Sequence, residues 1–375
     1  MNMVAHTETR AKIRWLPLSE ALLVTVLGLL VFGLTMVYSS SAVFAASRYH
    51  DDTFFLAHQV MYAAAGVSLM FAAREMPLRV MRKHLRWILL VGLIALVLVL
   101  IPGIGRVVGG ARRWISLGVF AVQPAEFAKI MTVAFMAHSV ARRAEGKTET
   151  SLWVSAGWAQ TFVLLVLFER DFGTAVILEL SIITMLYLGG APLKALFLAG
   201  VMLIPVAAFL IRSQPYRLAR VKAFLDPFAD RRGAGYQLAE ALITTGSGGL
   251  YGVGLGDGRQ KLFFLPEAHT DFIFAVIGEE LGFVGICMLV ILFASYLFVS
   301  FAIARKQSDP FSRYFVFGIS SWVVMQAATN MAVATGLLPT KGLTLPFISS
   351  GGSSLLICCL ATGLIMSAAR EVERS

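Results

Sequence analysis

The sequence predicts an all-α polytopic membrane protein with ten transmembrane helices and one long periplasmic loop between helices 7 and 8. The first reason is composition: 58% of the 375 residues are hydrophobic and only 14% are charged, and the mean hydropathy is +0.77. A soluble protein carries about 25% charged residues. A water-soluble enzyme, a disordered tail protein and a DNA-binding domain are therefore disfavoured.

The second reason is a series of ten apolar runs, which are long enough for helices that cross a bilayer core of about 30 Å. They cover residues 19–43, 56–73, 87–103, 124–140, 152–168, 172–190, 193–211, 271–303, 312–336 and 350–369. Strands of a membrane barrel would be about ten residues long and would alternate. The first run is too long for a signal peptide, so we expect residues 1–375 to form a single membrane domain.

The distribution of lysine and arginine predicts the orientation. The segments expected on one side hold 17 of the 32 basic residues, and the short segments on the other side hold 6. Basic residues accumulate in short cytoplasmic loops. We therefore expect a cytoplasmic N-terminal segment at 1–18, a cytoplasmic tail at 370–375 and a long periplasmic loop at 212–270. No organellar transit peptide is visible, so the expected location is the bacterial inner membrane.

The net charge of +10 would suggest a nucleic-acid partner in a soluble protein. Here the bias of basic residues towards the inside explains most of it, and no nucleic-acid partner is predicted. The three cysteines, Cys287, Cys358 and Cys359, lie in apolar runs without the spacing of metal ligands. Neither a disulfide framework nor a zinc site is predicted.

Asp271 opens the eighth predicted span, close to Glu267 and His269. An ionisable group in a predicted span is a functional candidate. A carboxylate among apolar rings is expected to have a raised pKa and can serve as a general base. The alternative is a charge that only favours the helix N-terminus, which contributes about 0.3–1 kcal/mol.

The segment Gln123–Lys129 opens the fourth span, and Pro124 suits its first helical turn. Glu126 and Lys129 stand three residues apart, so they can neutralise each other on one face of the helix. The alternative is that Lys129 faces a cavity and holds an anionic group such as a pyrophosphate. The residues alone leave both interpretations open.

Arg112 and Arg113 precede Trp114 in the loop before this span. Paired arginines beside a tryptophan are typical of an interfacial element in the headgroup zone. Arginine also binds phosphate through two parallel hydrogen bonds. These two residues are therefore candidates for a phosphate contact.

The last outer loop, 338–354, combines Lys341 with a run of serine and glycine that begins at Ser349. Such residues break a helix at membrane depth, where irregular backbone is tolerated if it is buried in protein or lines a cavity. The run Ser349, Ser350, Gly351 and Gly352 at a helix start could offer free N–H groups to an anion. Close packing of small residues against neighbouring helices is the alternative.

Taken together, these segments resemble one known family. The segment Leu265–Ala275 is similar to the signature of the SEDS proteins (shape, elongation, division and sporulation), and so are Gln123–Lys129, Asp171–Thr174, Gly235–Gln237 and Leu338–Ser354. The resemblance covers nearly the whole chain, in order. Ala268 and the segment Gln260-Lys261-Leu262 are more similar to the division branch of the family than to its elongation branch.

The resemblance implies a lipid II glycosyltransferase that builds β-1,4-linked peptidoglycan strands at the outer face of the inner membrane during septal wall synthesis. It places the family's essential aspartate at Asp271, as general base, and the lysine of its fourth helix at Lys129. The substrate-binding residues that we expect are Lys129, Glu126, Gln123, Arg112, Arg113, Glu267, His269, Lys341, Ser349, Ser350, Gly351 and Gly352.

Three other functions compete with this one. Ten spans with broken helices also suit a lipid II flippase, and the elongation branch of the family contributes a polymerase of its own. A purely structural scaffold of the division machinery would leave Asp271 dispensable. The motifs concentrate on the outer side, which favours the enzyme, because flipping requires a path across both leaflets.

The resemblance also implies the partners. The substrates are lipid II and a glycan linked to polyprenyl pyrophosphate. The protein partners are a class B penicillin-binding protein transpeptidase (FtsI-like) and divisome activators (FtsQLB- and FtsN-like) at the division septum. No cofactor is predicted with certainty; a divalent cation, Mg or Mn, stays open because no carboxylate cluster in the sequence specifies a metal site.

Overall fold

The structure is a computed structural model. It describes residues 17–108, 110–118, 120–230, 233, 235–258 and 265–374. Four predicted features lie wholly or partly outside these ranges. They are the N-terminal segment 1–18, of which only the last two residues are described, the long loop 212–270, of which residues 231, 232, 234 and 259–264 are not described, the segment Gln260–Leu262 that favoured the division branch, and the final residue of the tail 370–375.

Twelve helices and one small sheet lie within the described ranges. The helices are α1 (Leu18–Tyr49), α2 (Phe54–Arg74), α3 (Leu78–Leu100), α4 (Pro124–Ala144), α5 (Leu152–Phe168), α6 (Phe172–Leu188), α7 (Leu193–Arg212), α8 (Pro215–Leu225), α9 (Tyr236–Ser247), α10 (Ile273–Lys306), α11 (Pro310–Ala334) and α12 (Gly352–Arg374). Each of the ten predicted spans overlaps one helix. The other two helices, α8 and α9, lie in the long loop 212–270.

Seven of the described helices are long and apolar enough to cross a membrane: α1, α2, α3, α7, α10, α11 and α12. Two more of the predicted spans, α5 and α6, are apolar but have only 17 residues each. The remaining one, α4, contains both acidic and basic residues. The chain is therefore a mostly helical, multi-pass membrane protein, and the count of ten spans stays a prediction.

The described residues between 105 and 122 form a three-stranded antiparallel sheet, where the sequence predicts only an interfacial element in a loop. Its strands are β1 (Gly105–Val108), β2 (Ala111–Leu117) and β3 (Phe120–Val122), in the order β1-β2-β3. The turns contain Gly110 at φ 76° and Gly118 at φ 65°, a conformation that glycine adopts at little cost. The strands are short and lack a clear polar–apolar alternation, so the periodicity of the sequence did not reveal them.

The eighth predicted span begins two residues later than expected. Helix α10 starts at Ile273 rather than at Asp271, and its φ/ψ values are not helical at Gly282, where φ is 64°. Asp271 therefore lies in the turn before the helix, outside the membrane-spanning segment. Asp271 is partly exposed at this position.

The helices differ greatly in how much protein surrounds them. In the most apolar window of α12, 83% of the residues are buried, whereas the corresponding share in α7 is 6%. Leu196 is the one buried residue of α7. Helices α4, α11 and α12 thus form the interior, and α7 lies at the periphery with its apolar side chains facing outwards.

Candidate functional site at the end of helix α10

Asp271 is held in place through its backbone. The side-chain amide of Asn330, on α11, donates to the carbonyl of Asp271 at 2.9 Å and to that of Leu343 at 2.6 Å. Gly342 packs against the carboxylate, because a Cβ added there would lie 2.9 Å from Asp271 Oδ2. The turn before α10 and the loop before α12 therefore meet at this carboxylate.

The pKa of Asp271 is raised to about 7, first by burial and next by the negative charge of Glu267. Burial disfavours the charged form of a carboxyl group. The raised pKa that the sequence predicted is confirmed. A carboxyl group with this pKa can accept a proton near neutral pH, as a general base must.

A cavity of about 180 Å³ lies next to Asp271 and is lined by Gly342. Among the described residues of its walls the basic side chains outnumber the acidic ones, of which Asp171 is the single example. We call it the cationic cavity, and its five basic residues are Arg113, Arg170, Arg217, Arg220 and Lys341. Such an excess of positive charge suits an anionic ligand with several oxygen atoms.

Helix α8 contributes two of these cations. Arg217 Nη1 donates to the carbonyl of Leu210 at 2.9 Å, and Arg220 Nη1 donates to that of Thr340 at 3.0 Å. The Arg220 guanidinium also lies 4.6 Å from the centroid of the Tyr216 ring. Both side chains are therefore positioned by neutral groups and keep their charge available to a ligand.

Lys341 and Arg217 share one aromatic ring. The ammonium of Lys341 lies 4.0 Å from the centroid of Phe172, and the guanidinium of Arg217 lies 5.3 Å from it. Burial and the charge of Arg217 lower the pKa of Lys341 to about 8. The positive charges of Lys341 and Arg217 therefore repel each other, and a bound anion would reduce this repulsion.

Asp171 links the cavity to the start of α4. Its carboxylate caps α6 by accepting from the Thr174 N–H at 3.1 Å. It also accepts from Gln123 Nε2 at 2.8 Å, and Arg113 lies 4.0 Å away. Gln123 and Arg113, two of the predicted site residues, therefore stand at this edge of the cavity.

Glu169 is a buried acid beside the same cavity, and it is not among the site residues that the sequence predicts. Its side chain is 1% exposed, and within the described part of the chain neither carboxyl oxygen has a hydrogen-bond partner. Burial, followed by the charge of Asp171, raises the pKa of Glu169 to about 8. The group is therefore mostly neutral at pH 7 and does not cancel the positive charge of the cavity.

Glu126 and Lys129 form an enclosed ion pair. Lys129 is fully buried, and its Nζ lies 2.7 Å from Glu126 Oε2. It also donates to Gln326 Oε1 at 2.8 Å and lies 5.2 Å from the Trp322 centroid. The mutual neutralisation that the spacing allowed is confirmed. A direct contact of Lys129 with substrate stays a prediction, because the ammonium is surrounded by protein groups.

Arg112 is not among the described residues that line the cationic cavity, and its contact with substrate stays a prediction. Its Nη1 donates to the carbonyl of Leu100, at the end of α3, at 3.1 Å. Arg113, next to it on β2, lines the cavity instead. The sheet thus separates the two arginines that the sequence had treated as a pair, and Arg112 supports the fold at this position.

Glu267 and His269 line a second cavity, of about 440 Å³, together with Phe44 and Phe55. We call it the aromatic cavity. The His269 ring lies 4.4 Å from that of Phe55, between centroids, and burial lowers its pKa. Glu267 is exposed and accepts from Thr270 Oγ1 at 2.7 Å. Glu267 also raises the pKa of Asp271, and the cavity is lined by the residues that immediately precede the turn at Asp271.

The serine–glycine run before α12 supports the turn that holds Asp271. Ser349 Oγ donates to the carbonyl of Thr270 at 2.6 Å, and the Ser350 N–H donates to that of His269 at 2.9 Å. The Ser349 N–H is also used, by Leu345. The prediction that these two N–H groups are free for an anion is wrong, because loop contacts occupy both.

Gly351 and Gly352 allow close packing at the same place. A Cβ on Gly351 would lie 2.8 Å from the Thr344 methyl group, and one on Gly352 would overlap the Tyr62 ring. The alternative of close packing of small residues against neighbouring helices is therefore confirmed for Gly352, which packs on Tyr62 of α2, whereas Gly351 packs on Thr344 of its own loop. A substrate contact by either glycine stays a prediction.

No group of three or more His, Cys, Asp or Glu residues within the described ranges could hold a metal ion. The Mg or Mn ion that the sequence left open therefore has no protein ligands assigned to it. The positive charge of the site comes from arginine and lysine side chains.

Sequence reasoning missed Glu169, Arg170, Asp171, Arg217 and Arg220 as members of one site. The last two stand three residues apart on α8, so they lie on one face of that helix. This spacing was a usable signal of a basic helix face in the long loop. Which part of the bundle that face would meet could not be read from the sequence.

Comparison with known proteins agrees with this architecture. Residues 20–374 match the family model of the FtsW/RodA/SpoVE cell cycle proteins. A relative from Saccharophagus degradans, named "Probable peptidoglycan glycosyltransferase FtsW", is 44% identical over 95% of this chain and 94% of its own. A relative of the same name from Coxiella burnetii is 40% identical over 94% of this chain and 96% of its own.

Two solved structures are also similar. One is described as "Structural coordination of polymerization and crosslinking by a peptidoglycan synthase complex"; a chain in it has a TM-score of 0.79 and 27% identity, over 96% of this chain and 100% of that one. The rod shape determining protein RodA of Thermus thermophilus has a TM-score of 0.69 and 26% identity, over 95% and 98%. Since the family model spans almost the entire sequence, the chain belongs to the FtsW/RodA/SpoVE family of cell cycle proteins.

Proposed function

We propose that this protein is a peptidoglycan glycosyltransferase that polymerises lipid II into β-1,4-linked glycan strands during septal wall synthesis. The observation that carries the proposal is the position of Asp271, a carboxyl group with a pKa of about 7 that lies beside a cavity with five basic residues. This arrangement supports a role for Asp271 as proton acceptor and for the basic residues as the binding site of an anionic leaving group. The names of the relatives and of the peptidoglycan synthase complex support the same activity.

The cationic cavity binds the pyrophosphate of the growing strand. An apolar groove of about 310 Å³ between α5, α6 and α7 shares Phe172 with this cavity. A lipid with a charged headgroup and a polyprenyl chain fits the two adjoining spaces, with the headgroup beside Arg217 and Lys341 and the chain in the groove. The loose packing of α7 leaves the groove open towards the lipid.

The acceptor, lipid II, enters from the aromatic cavity, where Glu267 and His269 offer polar contacts to a sugar. Asp271 removes the proton from its 4-hydroxyl group, and the resulting oxygen nucleophile attacks the anomeric carbon of the donor. The new C–O bond forms as the bond to the pyrophosphate breaks, and the bonding electron pair leaves with the phosphate. One such displacement inverts an α-linked donor into a β-1,4 product.

The basic residues contribute by meeting the charge that develops on the leaving group. Cations that are already oriented stabilise such a charge without further rearrangement. Arg217 and Arg220 have this property, because backbone carbonyls and aromatic rings hold them before any ligand arrives. Gln123 and Asp171 orient Arg113 at the edge of the cavity.

The chemistry takes place at the outer face of the bacterial inner membrane, with both termini in the cytoplasm and ten spans. The bias of basic residues supports this orientation. A class B penicillin-binding protein crosslinks the new strands, in keeping with a solved relative from a synthase that combines polymerization with crosslinking. Divisome activators, FtsQLB- and FtsN-like, control the pair at the septum.

The test is polymerisation of labelled lipid II by the purified protein, with and without its transpeptidase. We expect long glycan strands on a gel from the wild type, and none from Asp271→Ala. The matched control is Asp52→Ala, which removes an exposed acid from the turn between α1 and α2. Polymer from Asp271→Ala would overturn the assignment, and transfer of lipid II across vesicles without polymer would favour the flippase.

A further inference from the structure

A second group of basic residues lies at the opposite end of α4 from Gln123. Helix α4 has 21 residues and is therefore about 30 Å long. Two adjoining cavities, of about 630 Å³ and 500 Å³, lie at its far end and share Arg82, Lys83, His138 and Arg142. We call them together the inner cavity, because the bias of basic residues assigns this end to the cytoplasm.

The acids near the inner cavity are already used by two of its cations. Glu145 lies 2.7 Å from Arg82 and 2.8 Å from Lys147, and Asp309 lies 3.5 Å from Arg82. The other basic residues of the lining, Arg79, Lys83, Arg86 and Arg142, have no ion-pair partner among the described residues. Four positive charges thus line this space without an acid to balance them.

A polar group adds to this charge. Nδ1 of His138 is buried and has no hydrogen-bond partner in the part of the chain that the structure describes. An anion with oxygen atoms could meet this nitrogen and the surrounding cations together. The space therefore offers both charge and hydrogen bonding that the protein itself does not use.

One wall of the inner cavity is apolar. Leu85, Leu89 and Phe135 line it beside the basic residues. Trp87 and Trp153, on the neighbouring helices α3 and α5, are 55% and 40% exposed, which is typical of side chains at a membrane–water interface. The cavity therefore spans the interface, with cations on its aqueous side and aliphatic and aromatic side chains on its lipid side.

We propose that the inner cavity binds the phosphate headgroup of an anionic phospholipid from the cytoplasmic leaflet. The combination of unbalanced cations with an apolar wall fits a phosphate that carries acyl chains. A soluble phosphate would contact the cations but not the apolar wall. Basic pockets between transmembrane helices on this side of a membrane are suited to such headgroups. The site is distinct from the cationic cavity at Asp271 and from the polymerase activity.

The test is native mass spectrometry of the full-length protein in detergent, titrated with phosphatidylglycerol or with phosphatidylcholine. We expect phosphatidylglycerol to be retained by the wild type and to bind roughly tenfold to thirtyfold more weakly to Lys83→Gln/Arg86→Gln, since each basic residue contributes to binding. Arg142→Gln should weaken binding to a smaller extent. Phosphatidylcholine should bind weakly to every variant.

The matched control is Arg305→Gln/Lys306→Gln, which removes two exposed cations from the end of α10 that faces the same side. It should retain phosphatidylglycerol as the wild type does. Equal retention by the control and by Lys83→Gln/Arg86→Gln would overturn the proposal. So would displacement of the bound lipid by millimolar inorganic phosphate, because it would identify the ligand as a soluble anion.

Discussion

Two groups of charged residues, both near the end of the helix bundle where α4 begins, differ in how their charges are balanced. Glu126 and Lys129 form a pair that protein atoms enclose, and Lys129 also donates to Gln326. The cationic cavity at Asp271 has five basic residues and one acidic residue in its walls, and most of those cations contact neutral groups. In the first group the two charges neutralise each other, whereas in the second the basic residues outnumber the acidic one.

The comparison teaches that an ionisable residue in a membrane helix can serve the fold as well as the chemistry. A buried charge without a partner is very costly, so the enclosed pair must remain intact for α4 to pack against α11. The open cavity tolerates its excess of charge because its cations keep contact with solvent and with aromatic rings. The two groups should therefore respond differently to substitution.

The largest effect is expected when the enclosed pair is broken. Lys129→Met leaves Glu126 buried without its partner, which costs about 3–5 kcal/mol in other proteins. We expect a large drop in the thermal stability of the purified protein, measured by the loss of the monodisperse peak in size-exclusion chromatography after heating.

The double variant Glu126→Gln/Lys129→Met removes both charges and should recover most of that stability. A Lys129→Met variant that is as stable as the wild type but inactive would contradict the structural role of the pair. Lys129 would then be a substrate-binding residue rather than part of a structural pair.

An intermediate effect is expected in the open cavity. Arg217→Gln removes one charge-assisted contact to the pyrophosphate, a loss of about 1.5–3 kcal/mol. We expect the concentration of lipid II at half-maximal polymerisation to rise by about tenfold or more, with unchanged thermal stability. The control is Lys222→Gln, on the same helix but exposed and outside the cavity, which should behave as the wild type.

The smallest effect is expected in the pH dependence of the polymerisation rate. The pKa of Asp271 is raised to about 7, so the rate should increase as pH rises through 7 and the base loses its proton; at pH 6 roughly a tenth is ionised. The pKa of Lys341 is lowered to about 8, so its charge is lost and binding weakens above pH 8. We expect an optimum between the two values in initial-rate measurements.

Lys341→Arg keeps its charge to a much higher pH, because arginine is effectively always protonated. The variant should lose the decline above pH 8 and keep the rise through pH 7. A rate that is constant from pH 6 to pH 8 would contradict the role of Asp271 as the base.

The helices could be predicted from the sequence because membrane spans are a property of local composition. Each run of about 20 apolar residues must satisfy its backbone within itself, so all ten predicted spans coincide with helices. The sheet at 105–122 was missed because short strands in a loop leave no such signal. The break in α10 at Gly282, where φ is 64°, is likewise not predicted by the sequence. It occurs where the loop 248–252 packs against α10.

The site could be predicted only in part, because its members come from distant segments. Asp271, Arg113 and Lys341 were recognised from their local surroundings and from the family resemblance. Arg217 and Arg220 were not, since the sequence does not say that α8 folds back to place Arg220 beside Thr340. Gln326 lies 197 positions from Lys129, so the partner that completes the enclosed pair was equally hidden.

We propose that Asp271 acts as the base in the reaction and is required neither for substrate binding nor for the stability of the fold. The most direct measurement compares wild type with Asp271→Asn for lipid II binding, thermal stability and strand formation in one preparation. We predict unchanged stability, binding within a few-fold of the wild type, and no strands. Strand formation by Asp271→Asn at a rate near that of the wild type would contradict the account.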